Sequence, residues 1–101
     1  MKKQLLIELK NVLNQHVTNE DGDLLFNIIR DEFKKDNKVN ISMLGVYGLN
    51  TSFINSAFIQ LLEHYSYDFI KKNLTFTNSN KQINDIILEN FKYQTEKGEF
   101  Q

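Results

Sequence analysis

The order of apolar patterns in this sequence predicts a small α/β domain with strands and helices alternating as βαβαβα. Three observations support this prediction. Amphipathic helical patterns occur three times, a short strand-like run precedes each of them, and Gly, Asn, Asp and Ser separate the runs. Strands that alternate with helices form parallel sheets through right-handed crossovers. We therefore expect a mostly parallel sheet with its helices packed mainly on one face.

Length and composition indicate one domain over residues 1–101, with a core at about 4–92 and a polar C-terminal tail at 93–101. Hydrophobic residues make up 41% of the chain and include eight Phe, enough for a substantial core. The net charge is −1 and no basic run exceeds a pair of lysines, so no nucleic-acid partner is expected.

The chain has no Cys, which excludes a disulfide framework, a thiolate nucleophile and a cysteine-based metal site. Its N-terminus resembles a signal peptide at first, but Glu8 and Lys10 interrupt the apolar run and no cleavage site follows. No apolar run approaches the length of a membrane span. These features predict a cytoplasmic protein without a membrane partner.

The first element, Gln4 to Leu9, fits two patterns. Alternation predicts a strand, while one helix face would also collect the apolar residues Leu5, Leu6, Leu9, Val12 and Leu13. We favour the strand, because Asn11, Asn14 and the polar stretch after Val17 would soon end a helix.

A clearer helix is predicted from Asp21 to Lys35. Its apolar face holds Leu24, Leu25, Ile28, Ile29 and Phe33. Acidic side chains crowd its start and lysines its end, which matches the helix dipole and favours helix-end stabilisation over a metal site. A turn at Asp36 and Asn37 then leads to a strand over Val39–Leu44, whose polar alternate positions predict that one sheet face is only partly covered.

The strongest periodic signal predicts a second helix from Thr51 to His64. Its stripe holds Phe53, Ile54, Ala57, Phe58, Leu61, Leu62 and Tyr65. A short helical turn at Tyr67–Lys72 and a strand at Leu74–Thr77 follow. Ser79 then opens the last helix, with Gln82 completing a capping box and with Ile83, Ile86, Ile87 and Phe91 as its buried face.

The joint before the second helix carries the candidate functional residues. Gly45 and Gly48 lie between a strand and a helix, the context of a phosphate loop, but the lysine ending of a nucleotide loop is absent. Asn50, Thr51 and Ser52 follow at the helix start. They fit either of two roles: caps for unpaired backbone N–H groups, or a phosphoacceptor and partner-docking surface.

Nothing in the sequence assembles a nucleophile, a base and an oxyanion site, so we do not expect an enzyme. His16 and His64, the two histidines, lie far apart and are expected at surfaces or helix ends. No metal site and no cofactor are predicted.

Three segments resemble the bacterial STAS-like domain family of unknown function (DUF4325-type): Ser42 to Val46, Asn50 to Phe58 and Leu74 to Asn78. The resemblance covers about Gln4 to Phe91 and includes Asp21-Gly22, since the family has a Gly just before its first helix. It implies a STAS-like fold, distantly like that of anti-sigma-factor antagonists.

In those antagonists a Ser or Thr at the start of the second helix is phosphorylated by a histidine-kinase-like ATPase, which controls partner release. The matching positions here are Thr51 and Ser52. Asn50 and Phe53 stand where the antagonists have Asp and Gly, and Ile59 stands where STAS-like members often have Gly.

The resemblance therefore implies a non-enzymatic regulatory module that binds another protein, such as a histidine-kinase-like ATPase or serine kinase. The expected docking and phosphoacceptor residues are Asn50, Thr51, Ser52 and Asn55. The alternative is a domain that binds a nucleotide or anion at the same helix end. The oligomeric state is not indicated.

Overall fold

A three-stranded parallel sheet forms the centre of the protein, as predicted. The computed structural model describes residues 3–12, 18–46 and 48–96. The strands are β1 (Gln4–Glu8), β2 (Lys38–Ser42) and β3 (Leu74–Thr77), in the spatial order β1-β2-β3. Both neighbouring pairs are parallel, with Leu5 beside Val39 and Val39 beside Leu74.

The helices pack against one face of this sheet and confirm the predicted α/β class. They are α1 (Leu9–Val12), α2 (Asn19–Lys34), α3 (Thr51–Ala57), a 3₁₀ helix (Ile59–Glu63), α4 (Tyr67–Asn73) and α5 (Lys81–Glu96). Only one turn of helix, α1, was not expected: Leu9 is helical and buried rather than the last residue of the first strand.

The two faces of the sheet differ in composition. Val39, Ile41 and Met43 point into the core and are fully buried. On the other face Leu6 is 60% exposed. Side chains in strands alternate between faces, so the alternation in β2 correctly predicted one open face.

Polar side chains of β2 and β3 are linked across the open face. Asn40 donates to Thr75 through Nδ2–Oγ1 at 3.1 Å and accepts from Thr77 through Oδ1–Oγ1 at 2.8 Å. Asn78 donates to Ser42 Oγ at 3.0 Å. These bonds satisfy the polar groups of the strands and keep this face hydrophilic.

The predicted helix from Thr51 to His64 is not continuous, and this part of the prediction is wrong. The α-helix ends at Ala57, Phe58 is a turn residue, and a 3₁₀ helix follows. A single α-helix would turn Ile59 away from the apolar stripe, whereas the change of helix type leaves Ile59 only 6% exposed. The break therefore coincides with the burial of a residue outside the predicted stripe.

The last helix starts later and runs further than predicted. Asn80, not Ser79, is its cap: Asn80 Oδ1 accepts from the Ile83 amide at 2.8 Å, so the capping box with Gln82 is wrong. The helix continues to Glu96, into the segment expected to be a polar tail, and Lys92 lies 3.8 Å from Glu96 on its last turn.

Candidate functional site

The start of α3 lies at the surface and is capped by Asn50. The Asn50 backbone is extended, and its Oδ1 accepts from the Phe53 amide at 2.8 Å. Thr51 and Ser52 follow in the first turn, and both are exposed. Asn50 therefore caps the helix, and the hydroxyl groups of Thr51 and Ser52 do not.

A hydrogen bond joins the start of α3 to the start of α2. The Ser52 hydroxyl donates to Asn19 Oδ1 across the two helices. Helix α2 has its own cap, because Thr18 Oγ1 accepts from the Asp21 amide at 3.1 Å, and Glu20 and Asp21 lie in its first turn. Ser52 is thus both solvent-accessible and part of the contact between two helices.

Helices α2 and α3 run side by side in the same direction and approach closely at Gly22. A Cβ atom on Gly22 would lie 2.5 Å from Ser56 Cβ and 2.9 Å from the Phe53 carbonyl oxygen. The glycine was expected just before the first helix, but it lies inside α2 and is buried. Its role is to let the two helix backbones meet.

Gln60, in the 3₁₀ helix that follows α3, also forms a hydrogen bond to α2. Its Nε2 donates to Asp23 Oδ1 at 2.8 Å and to the Ser56 carbonyl oxygen at 2.7 Å. The side of α3 that faces α2 is therefore closed by packing and by satisfied polar groups.

The two glycines of the preceding loop have different roles. Gly45 has φ +82°, a conformation that other residues adopt only with strain. Among the described residues, no atom lies within 4 Å of the position of a Cβ on Gly48. Val46 and Leu49 are buried and anchor the loop to the core. Only Gly45 is therefore required by the backbone.

Asn55 follows Thr51 by four residues and Ser52 by three, so it lies one turn further along the same surface of α3. Its Oδ1 is buried and has no hydrogen-bond partner within the described ranges. It lines a pocket of about 230 Å³ between α3, the 3₁₀ helix and α5. The other lining residues are Ile59, Gln60, Glu63 and Gln94. The structure thus places Asn55 at this pocket, one turn beyond the exposed start of α3 where Thr51 and Ser52 lie.

His64 is exposed at the end of the 3₁₀ helix, as expected, with its ring 6.0 Å from that of Phe26. His16 lies outside the described residues. Across the part of the chain that the structure describes, no helix has both the length and the apolar character needed to cross a membrane.

Sequence reasoning did not find Asn19 or Gln94 as site residues. Asn19 precedes the predicted start of the first helix at Asp21, and 33 positions separate it from Ser52. Gln94 lies in the stretch that was expected to be a tail. No local pattern pairs either residue with α3, because only the packing of helices brings them together.

Comparison with known proteins gives one family. A model of the STAS-like domain of unknown function (DUF4325) matches residues 21–84, more than half of the chain. The match includes α2 from Asp21 onwards and all of α3. No curated protein and no solved structure matches the chain.

Proposed function

Because the chain belongs to the family of STAS-like domains of unknown function (DUF4325), we propose that it is a non-enzymatic regulatory module. It binds another protein through the exposed starts of α2 and α3. The observation on which this proposal depends is the Ser52–Asn19 hydrogen bond, since it connects an accessible hydroxyl to a helix–helix contact. A modification of that hydroxyl changes both the surface and the packing beneath it.

Phosphorylation of Ser52 would replace the hydrogen-bond donor in this contact with acceptors. The unmodified hydroxyl donates a proton to Asn19 Oδ1. A phosphoserine carries roughly two negative charges and presents acceptor oxygens in place of that donor. Glu20 and Asp21 follow Asn19 in the first turn of α2 and would repel it. The bond between the helices is then lost, and the surface becomes anionic.

Thr51 is the second candidate phosphoacceptor. It is exposed, and its neighbour Asn50 already caps the helix. A phosphate there would alter the surface without replacing the Ser52–Asn19 bond. We therefore favour Ser52 as the residue that controls binding and Thr51 as a contact residue.

The partner that fits this proposal is a histidine-kinase-like ATPase with serine kinase activity, in the cytoplasm. Such an enzyme would bind the unmodified surface and release it after phosphorylation. This assignment follows the analogy with anti-sigma-factor antagonists, and it requires no cofactor and no catalytic group from this chain.

An affinity pull-down from the native host tests the proposal with wild type and with Ser52→Asp. We expect the wild type to retain a partner that the mutant loses, and mass spectrometry to find phosphate on Ser52 or Thr51. Ser66→Asp is the matched control, because Ser66 is an exposed cap of α4 that gains the same charge at a different site. The same partners with all three proteins and no phosphate would contradict the proposal.

The alternative, a nucleotide or anion at the start of α3, stays a prediction that the geometry does not favour. The Phe53 amide already donates to Asn50, and α3 has 7 residues. Isothermal titration with nucleotides, phosphate and sulfate tests it directly. The absence of heat with all three would exclude it.

A further inference from the structure

Strand β3 lies at one edge of the sheet, and part of its backbone is unpaired there. The Met43 amide donates to the Thr77 carbonyl oxygen at 2.8 Å, so the backbone groups of Thr77 face β2. These groups alternate between the two sides of a strand, so Thr75 also faces β2 and Phe76 faces away from it. No backbone group of the described residues pairs with the N–H or the C=O of Phe76. Phe76 therefore presents one donor and one acceptor at the edge.

The composition of β3 does not protect this edge from pairing with another strand. Natural edge strands avoid such pairing through charged residues, prolines or bulges. The sequence of β3 is Leu74-Thr75-Phe76-Thr77, which contains neither a charge nor a proline, and Thr and Phe are favoured in strands. The register with β2 runs without a bulge over all four residues. The edge therefore has the properties of a strand that accepts a neighbour.

An apolar groove lies along β3, between this strand and the helices α4 and α5. Its volume is about 270 Å³. Its apolar lining residues are Ile70, Leu74, Phe76, Ile87, Leu88 and Phe91. The Phe76 ring packs edge-to-face on buried Phe58, with the ring centroids 5.2 Å apart, whereas Leu88 is 54% exposed. A strand added to β3 would direct alternate side chains towards this groove, because side chains in a strand alternate between the two faces of the sheet.

We propose that two copies of this chain pair through β3 and bury the groove between them, so that two three-stranded sheets become one. A strand that fits must carry apolar residues on the side of the helices and polar residues on the open face. β3 itself has this alternation, with Leu74 and Phe76 in the groove and Thr75 and Thr77 bonded to Asn40 on the open face. A second copy therefore supplies the matching strand, as an interface between identical surfaces requires.

The free backbone groups determine how the two strands pair. A two-fold axis perpendicular to the sheet makes the strands antiparallel and keeps the helices of both copies on one side. With the axis at Phe76, each Phe76 amide donates to the Phe76 carbonyl oxygen of the other copy, as in a hydrogen-bonded pair of an antiparallel ladder. The Leu74 amide is not available for such a pair, because it already donates to the Ile70 carbonyl oxygen. The pairing is therefore centred on Phe76.

The polar residues of the groove also suit an antiparallel pair. Lys71 lines the groove from α4, which leads directly into the start of β3. Asn84 lines its continuation from the first turns of α5, which follow the end of β3. An antiparallel pair directs Lys71 of each copy towards Asn84 of the other, so an ammonium group approaches an amide and not a second ammonium group.

Sedimentation equilibrium of the purified protein from about 10 µM to about 1 mM tests the proposal, because a small interface gives a weak dimer. We expect the wild type to pass from monomer to dimer over this range. Leu88→Glu should weaken the dimer at least about tenfold, because it brings a charge from each copy into an apolar contact. Leu24→Glu is the matched control, since Leu24 is 56% exposed and also lies on a helix of 16 residues. A wild type that stays monomeric, or equal dimerisation of the two variants, would overturn the proposal.

NMR of the wild type tests the strand pairing without any substitution. The Phe76 amide should exchange its hydrogen more slowly as the protein concentration rises, whereas exchange of the Thr75 amide, which faces β2, should not change. In a mixture of labelled and unlabelled protein, we expect a contact between the Hα atoms of Thr75 in one copy and Thr77 in the other, the close pair beside Phe76. A dimer that lacks this contact and leaves the Phe76 amide unprotected would overturn pairing through β3.

This proposal goes beyond the regulatory function and does not depend on it, because it involves β3, α4 and α5 and not the starts of α2 and α3. A pull-down that captures no partner, together with a dimer of the expected pairing, would reject the regulatory proposal alone. A monomeric wild type that captures a partner, which Leu88→Glu then loses, would show that the groove binds that partner and would overturn the pairing of two copies.

Discussion

The two sides of helix α3 are built differently. The side that faces α2 is closed: Gly22 allows backbone contact with Ser56, and Gln60 donates to Asp23. On the side that faces solvent and α5, Thr51 is exposed, and Asn55 Oδ1 has no hydrogen-bond partner among the described residues. One side therefore contributes helix–helix contacts, and the other begins at an exposed residue.

Ser52 lies at the border between these sides. Its hydroxyl is exposed and is also bonded to Asn19 of α2. A modification of Ser52 would break a hydrogen bond to the closed side, whereas Thr51 makes no hydrogen bond to α2 among the described residues. This difference is the structural reason to expect a switch at Ser52 rather than at its neighbour.

The largest effect on the closed side is expected from Gly22→Ala. The new methyl group would overlap Ser56 and the Phe53 carbonyl oxygen, so α2 and α3 must move apart. We expect a net loss of unfolding free energy on the order of 1–2 kcal/mol, after the better helix propensity of Ala is included. Denaturant unfolding measures it.

Gly48→Ala is the control for this comparison. A Cβ at Gly48 meets no atom within 4 Å, so the substitution should be neutral or stabilise by up to about 1 kcal/mol. If Gly22→Ala is as stable as Gly48→Ala, the two helices are not held at contact distance and the comparison fails.

A smaller effect is expected from substitution of Asn50, which caps the start of α3. Asn50→Ala removes the acceptor of the Phe53 amide and should cost about 1 kcal/mol of unfolding free energy. Asn50→Asp keeps a side-chain acceptor and should retain the stability of the wild type. Equal losses in both variants, measured by denaturant unfolding, would show that the cap is not what fixes the start of α3.

The smallest effect is expected for Ser52→Ala, which removes one exposed hydrogen bond. The loss should be within about 0.5 kcal/mol, and it should vanish in an Asn19→Ala background because the bond is then already absent. Thr51→Ala should show no such dependence on Asn19. A double-mutant cycle measures the coupling, and equal coupling for Thr51 and Ser52 would remove the reason to favour Ser52.

Local patterns located most of the elements. The spacing of apolar residues identified α2, β2, α4 and β3 within a few residues, because each element has one buried face and that face repeats with the period of its structure. The sequence also predicted the open face of the sheet, because polar residues occupy the alternate positions of β2.

The same patterns gave wrong predictions at the end of α3 and at the start of α5. Ile59 lies outside the stripe of a continuous helix, yet it is buried in the 3₁₀ helix that follows Phe58. Asn80 caps α5 although Ser79 and Gln82 match a capping box. In both places the local sequence permits two structures, and the tertiary structure contains the one that the local pattern did not predict.

The sequence by itself determined the class of fold, the family and the residues at the start of α3, because these depend on composition, periodicity and short motifs. Only the tertiary structure decided which of those residues have partners. It paired Ser52 with Asn19, placed Gly22 against Ser56 and brought Asn55 to the same pocket as Gln94 of α5. Such relations join residues far apart in the chain, and they arise when helices pack together.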